Sequence, residues 1–134
     1  AYLTASVSYG SATTYQLVTW NATHFNTGNC YSTSTGKFTA PVTGIYQFNA
    51  HLYMYNTDSS NTAFYVNGSR IYRISGGVFA SNVNPGASQG NMLHNLTAGD
   101  EVQIYAYASD ACTIYHGGGG AVDITSYFSG YLIG

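Results

Sequence analysis

The chain has 134 residues, of which 45% are hydrophobic and only 6% are charged, with a formal net charge of −2. This length suits a single domain over residues 1–134 and is too short for two cores of typical size. Its 3 basic residues cannot neutralise a run of phosphates, so nucleic-acid binding driven by counterion release is excluded. A surface wetted by neutral polar groups is typical of proteins that meet sugars or each other.

The sequence indicates a secreted protein. No apolar run approaches the roughly 18 residues of a membrane span, and the first ten residues lack the features of a signal peptide, as in a mature form. Cys30 and Cys112 have no CxxC partner, so one disulfide, within the chain or between subunits, is the simplest interpretation. Three glycosylation sequons agree with a secretory route and begin at Asn21, Asn67 and Asn95.

The predicted elements are strands, because Tyr, Thr, Val and Ile are abundant and helical periodicity is nearly absent. The first clear strand covers 45–53 and alternates between a core face and a polar face. The side chains predicted to point into the core are those of Tyr46, Phe48, Ala50 and Leu52. A hairpin follows, in which Asn67-Gly68 supplies the positive φ values of a type I′ turn between strands at 63–66 and 71–74.

Further along, a turn at 96–100 leads into a strand at 102–107, and the chain ends in a strand at 127–133. Two flexible connections, 75–90 and 110–120, are candidate binding loops, and the second contains four consecutive glycines that a strand would tolerate poorly. In the strand at 102–107 the alternation directs Val102, Ile104 and Ala106 inward and Gln103, Tyr105 and Tyr107 outward. The class is all-β, and spacing alone does not choose between sandwich, barrel and jelly roll.

A specific motif favours the jelly roll over the other all-β architectures. Residues 36–48, which read Gly-Lys-Phe-Thr-Ala-Pro-Val-Thr-Gly-Ile-Tyr-Gln-Phe, closely resemble the signature around the second strand of C1q-like domains. Asn67-Gly68 and the segments 96–102 and 128–133 resemble further elements of that family, in the same order. The resemblance implies a ten-stranded, two-sheet jelly-roll sandwich, usually a homotrimer whose inner sheets meet on the threefold axis, without enzymatic activity.

Within that family, the low charge, the 14 tyrosines and the absence of a Gly-X-Y repeat resemble the short molluscan lectins. Some of these bind sialic acid. The resemblance therefore implies a multivalent lectin of an extracellular fluid such as haemolymph, which recognises sialic acid or other acidic or N-acetylated glycans in innate immunity and agglutination. The alternative is a C1q-like structural or signalling protein that binds a protein partner. A calcium site, known in some relatives, is not favoured by the scattered acidic residues.

Seven side chains are candidates for carbohydrate binding. One or both of Arg70 and Arg73 could hold the carboxylate of an acidic sugar; the alternative is a solvent-exposed strand end whose charges balance Asp58 or Asp110. Alternation places Arg70 and Tyr72 on one face and Arg73 on the other. The remaining candidates are tyrosines near loops, together with a histidine beside the glycine run: Tyr53, Tyr55, Tyr115 and His116.

Three other tyrosines are assigned to the oligomer interface. The resemblance implies that the strand carrying Tyr105 and Tyr107 lies in the inner sheet, and Tyr131 is predicted to share its role.

Two features are interpreted as accidental. Residues 86–90 match the GxSxG nucleophile elbow, but the flanking sequence lacks the required strand and helix. The four histidines never occur at the spacings that place two imidazoles on one face, so a metal site is not predicted.

Overall fold

The computed structural model describes residues 1–10, 14–55, 57, 59–78, 86–117 and 123–134. These residues confirm the all-β class and form two antiparallel sheets. One short 3-10 helix covers Thr27–Asn29. The strands are β1 (Val7–Tyr9), β2 (Gln16–Leu17), β3 (Tyr31–Ser32), β4 (Lys37–Thr39), β5 (Gly44–Tyr55), β6 (Ser59–Val66), β7 (Ser69–Val78), β8 (Gly86–Leu96), β9 (Glu101–Ala108), β10 (Cys112–Ile114) and β11 (Tyr127–Leu132).

The first sheet, sheet I, is organised around β5. This strand pairs with β8 along one edge and with β11 and β10 along the other, while β1 extends the sheet beyond β10. In the second sheet, sheet II, the strand order is β3-β4-β9-β6-β7, with β2 also paired to β9. The described residues thus contain eleven strands, one more than the expected ten. Two of these, β2 and β3, have only two residues each, and a third, β10, lies in a segment that the sequence predicted as a loop.

The core lies between the sheets and follows the predicted alternation of β5. The four β5 side chains predicted to be internal are all buried, and Phe48 stacks on Phe128 with 5.8 Å between ring centroids. Phe38 meets Phe48 edge-on at 5.1 Å. Aromatic contacts of this kind stabilise a core beyond the burial of apolar area. In β9, Val102, Ile104 and Ala106 are buried as predicted, and Gln103, predicted to face solvent, is also buried, at 8% exposure.

The predicted hairpin is confirmed. Asn67 and Gly68 have φ values of 50° and 77°, the two positive values that a type I′ turn requires. Beyond the turn, β7 contains a register shift, because Phe64 pairs with Tyr72 while Tyr65 pairs with Arg70. One extra residue of β7 is therefore accommodated as a β-bulge.

The predicted flexible connection at 75–90 is wrong at both of its ends, and the one at 110–120 is interrupted by a short strand. β7 continues to Val78 and β8 begins at Gly86, so both ends of the connection at 75–90 are strand, and residues 79–85 lie outside the described part. Here glycine serves close packing, since a Cβ on Gly90 would overlap the Ile74 side chain. In the second connection, 110–120, strand β10 occupies the first part, and residues 118–122 lie outside the described part.

The GxSxG match lies within β8, where Ser88 is fully buried and accepts a 2.7 Å hydrogen bond from the Thr62 hydroxyl. A nucleophile elbow holds its serine exposed on a turn between a strand and a helix, so this segment does not have that geometry.

The predicted disulfide within the chain is wrong, because Cys30 and Cys112 are both free thiols. Cys30 follows the 3-10 helix and donates a weak hydrogen bond to the Thr27 carbonyl oxygen at 3.3 Å. Cys112 is buried in β10 of sheet I, opposite Tyr9 of β1. Burial also raises the pKa of the Cys112 thiol.

Candidate functional site

The seven predicted sugar-binding residues lie in three places. Both arginines lie on the outer face of sheet II, because Arg70 pairs with Tyr65 and Arg73 pairs with Ala63, and directly opposed residues share a face. Tyr72 pairs with the buried Phe64 and therefore faces the other way. The prediction that Arg70 and Tyr72 share a face is wrong, because the bulge shifts the alternation between them.

On the outer face of sheet II, Arg70 joins four tyrosines, Tyr15, Tyr65, Tyr105 and Tyr107, which together form the tyrosine–arginine cluster. The guanidinium carbon of Arg70 lies 4.9 Å from the centroid of the Tyr15 ring, within cation–π range. That ring is 5.5 Å from Tyr107 and 6.3 Å from Tyr65, and Tyr65 lies 4.0 Å from Tyr105. The cluster therefore combines an exposed guanidinium group, in contact with the Tyr15 ring, with a surface of half-buried aromatic rings.

The cluster lies over a small buried residue, and its arginine has no acidic partner among the described residues. Ala63 lies beneath it on the outer face of β6 and is 0% exposed, although it is not part of the core between the sheets. Among the described residues, the ion pair is Lys37 with Glu101, at 2.7 Å, and neither Arg70 nor Arg73 lies within 4.0 Å of a carboxylate. Within the described part of the chain, both guanidinium groups are thus without an acidic partner and face an anionic ligand on this side of the molecule.

The second place is an edge of the sandwich, where Tyr72 meets His94 of β8 edge-on at 6.3 Å. Each of the four histidines lies against a tyrosine ring, although only Tyr72–His94 is edge-on. The other three pairs are Tyr2–His24, His51–Tyr127 and Tyr115–His116. In the described part of the chain, no group of three or more His, Cys, Asp or Glu residues could hold a metal ion.

The third place is one end of sheet I, where the structure brings together the other four candidates. Tyr55 meets Tyr53 edge-on at 5.3 Å and Tyr115 at 5.4 Å. His116 follows Tyr115, and its Nδ1 lies 2.9 Å from the Ser6 hydroxyl. The hydrogen bond with Tyr53 raises the pKa of Tyr55. This group has aromatic surface but no arginine.

The three predicted interface tyrosines do not share a surface. Tyr105 and Tyr107 belong to sheet II, where they are part of the tyrosine–arginine cluster, whereas Tyr131 is on sheet I. The outer face of sheet I carries large exposed apolar side chains, among them Leu93 at 56% and Tyr131 at 53% exposure. Both residues pair with Gln47 of β5 from opposite sides, so they form one row across the sheet.

A groove of about 640 Å³ lies along β11, and sequence reasoning missed it. Its lining is mainly aromatic and apolar and includes Phe25, which is 80% exposed. The Tyr2 ring stacks on His24 at 4.6 Å on one side of the groove. Phe25 lies among polar residues in the irregular segment before β3, and no periodic pattern identifies its position.

The three sequon asparagines have different surroundings. Asn21 and Asn95 are exposed, and the Asn21 amide donates a hydrogen bond to the Thr4 hydroxyl. The Asn67 side chain is bonded to Asp100 and to the backbone of Glu101. In the described residues, no helix is long and apolar enough to cross a membrane.

The family model of the C1q domain matches residues 2–133, and the chain therefore belongs to the C1q domain family. Among solved structures, the globular domain of the zebrafish complement 1qA protein is similar, with 24% sequence identity and a TM-score of 0.64. The match covers 96% of this chain and 95% of that one. A TNF protein, Eiger from S. frugiperda, is also similar in fold, with 13% identity, a TM-score of 0.62 and coverage of 78% and 68%.

Proposed function

We propose that this protein is a secreted, trimeric lectin that binds sialic acid or a related acidic glycan at the tyrosine–arginine cluster. The observation that carries the proposal is the Arg70 guanidinium, fixed 4.9 Å from the Tyr15 ring and free of carboxylates among the described residues. Arginine can hold a carboxylate through two parallel hydrogen bonds. The tyrosine rings offer an apolar surface to the C–H face of a sugar and hydroxyl groups to its polar edge.

The low charge of the chain strengthens this assignment. Of the 3 basic side chains, Lys37 is already paired with Glu101, and the other two lie on the cluster side of sheet II. A carboxylate that approaches the molecule therefore finds its strongest attraction there. The aromatic group at Tyr53, Tyr55 and Tyr115 is a second sugar-binding surface, which suits neutral or N-acetylated units because it has no arginine. It lies at the opposite end of β5 from Gln47, so a trimer contact centred on the row of Leu93, Gln47 and Tyr131 leaves it accessible.

Trimer formation through sheet I is consistent with this position of the site. The exposed apolar side chains of Leu93 and Tyr131 favour burial of that face against neighbouring subunits. Sheet II then faces outward in all three subunits, and three weak sites act together by avidity. Such a particle bridges glycans on different cells, which is the basis of agglutination in innate immune recognition.

The proposal is tested by calorimetric titration with N-acetylneuraminic acid and with N-acetylglucosamine. We expect Arg70→Ala to weaken the affinity for the acidic sugar about tenfold, as befits a charge-assisted bond worth roughly 1.5 kcal/mol. Lys37→Ala is the matched control, because it removes the same charge from the same sheet outside the cluster, and its affinity should stay within about twofold of wild type. Absence of binding to any sugar would overturn the lectin assignment.

A protein partner is the second candidate function, and the groove along β11 favours it. The groove is lined by apolar and aromatic side chains, and Phe25 is almost fully exposed beside it. An extended segment with an apolar side chain would fit this surface. A blank glycan array, together with partner binding that Phe25→Ser abolishes and Lys37→Ala preserves, would support this function over the lectin.

A further inference from the structure

The spacing of the two arginines on β7 indicates the kind of acidic glycan that the site accepts. We propose that the site binds an oligosaccharide with two acidic units, with Arg70 and Arg73 each holding one acid group. This inference rests on the proposed function and adds a second subsite to it. It depends on a feature that the sequence alone does not reveal, the bulge in β7.

The bulge brings both arginines to one face. Residues three apart on a regular strand point to opposite faces, but here Arg70 pairs with Tyr65 and Arg73 with Ala63. Their partners on β6 are two residues apart, a separation of about 7 Å along the strand. Bulges commonly re-aim side chains in this way beside functional sites.

The outer face of sheet II therefore has two parallel rows, each with one arginine and one tyrosine. In the first row, Gln103 of β9 pairs with Tyr65, which pairs with Arg70. In the second row, Tyr105 of β9 pairs with Ala63, which pairs with Arg73. The Tyr65 and Tyr105 rings lie 4.0 Å apart, so the aromatic surface continues from one row to the next. Two successive sugar units can thus each meet one arginine, with Arg70 and its neighbouring rings as the primary subsite and Arg73 as the second.

The positive charges of Arg70 and Arg73 also favour a ligand with two acid groups. Arg70 and Arg73 are both exposed on one face with about 7 Å between their backbone positions, so their like charges repel each other, more strongly at low salt. Among the described residues no carboxylate within 4.0 Å offsets that repulsion. A ligand with two acid groups neutralises both, whereas a single terminal acidic sugar leaves one guanidinium without a counterion.

The test compares N-acetylneuraminic acid with its α2,8-linked dimer, and uses the N-acetylglucosamine dimer to control for length without charge. After correction for the twofold statistical factor, we expect the acidic dimer to bind about fivefold tighter than the monomer, in the range of one exposed ion pair. Arg73→Gln should remove that advantage and leave monomer affinity within about twofold. The advantage should also shrink at high salt.

Equal affinities for monomer and dimer in the wild-type protein would overturn the second subsite while leaving the acidic-sugar site in place. An Arg73→Gln variant that weakens monomer and dimer equally would do the same, because both arginines would then hold one acid group. If neither acidic ligand binds, the proposed function itself fails, and the second subsite fails with it.

Discussion

Asn67 donates a 2.8 Å hydrogen bond from its side-chain amide to the Asp100 carboxylate, and its side-chain carbonyl accepts one of 2.9 Å from the Glu101 amide. These bonds join the turn between β6 and β7 to the turn between β8 and β9. Asp100 also accepts a hydrogen bond from the Thr97 amide at 2.8 Å. The side-chain bond from Asn67 and the backbone bond from Thr97 lower the pKa of Asp100.

The first prediction concerns acid stability. Because the pKa of Asp100 is lowered by folding, its stabilising effect is present above the unfolded-state value of about 3.9 and is lost as the pH falls through the folded-state value. Asp100→Asn should lower the melting temperature at pH 7 and reduce the fall in melting temperature between pH 5 and pH 2. Thermal unfolding across this pH range measures both effects. Asp110→Asn, which alters a carboxylate bonded to the Ser109 hydroxyl, is the control.

The second prediction concerns the free cysteines. Cys30 is half-buried and should react with iodoacetamide in the native protein, whereas Cys112 is buried with a raised pKa and should react only after unfolding. Mass spectrometry of native and denatured samples measures both rates. A peptide in which Cys30 and Cys112 are linked would contradict the structure.

The third prediction concerns packing at Gly130 of β11. A Cβ at this position would overlap the Phe48 ring, which is stacked in the core. Gly130→Ala should therefore destabilise the fold by about 1–3 kcal/mol, measured by denaturant unfolding. Gly10→Ala is the control, since no atom of the described residues lies within 4 Å of the place that its methyl group would occupy, and stability should change by less than about 0.5 kcal/mol.

The fourth prediction separates stability from function at Ser88. Ser88→Ala removes the acceptor of the buried Thr62 hydroxyl and should cost about 1 kcal/mol of unfolding free energy. Sugar affinity should not change, because Ser88 is fully buried between the sheets. Loss of binding in a folded Ser88→Ala variant would show that this serine acts in the site after all.

The fifth prediction concerns assembly. If the outer face of sheet I is the trimer interface, Leu93→Glu places a charge in an apolar contact and should convert the trimer into monomers of 14.3 kDa. Sedimentation velocity distinguishes the two species. Val42→Glu, at an exposed apolar residue outside the strands, should remain trimeric. A monomeric wild-type protein would contradict the interface.

The parts of the fold that the sequence predicts are those in which a local rule dominates. β5 and β9 alternate because each has one face in the core, and Asn67-Gly68 is recognisable because few residues adopt positive φ. The bulge in β7 depends on its pairing with β6, which no local pattern records. The role of Tyr15 is equally unpredictable from the sequence, since its contacts with Tyr65 and Tyr107 join residues that are far apart along the chain.

Glycine-rich strands escape prediction for a related reason. Glycine disfavours strands by intrinsic propensity, yet β8 includes Gly86 and Gly90 because its long pairing with β5 outweighs that preference. The cysteines illustrate the same limit, because whether two thiols approach each other depends on how distant strands assemble.

The bulge in β7 has one more consequence. The described pairings of β7 are with β6 alone, so its other edge offers main-chain groups to any strand that approaches. Edges of this kind promote aggregation unless charges or irregular geometry disrupt them. A chain with only 6% charged residues has few charges for this purpose, yet two of its 3 basic side chains, Arg70 and Arg73, are on this strand. The same irregularity that positions the arginines thus also makes this edge a poor template for a strand from another copy of the protein.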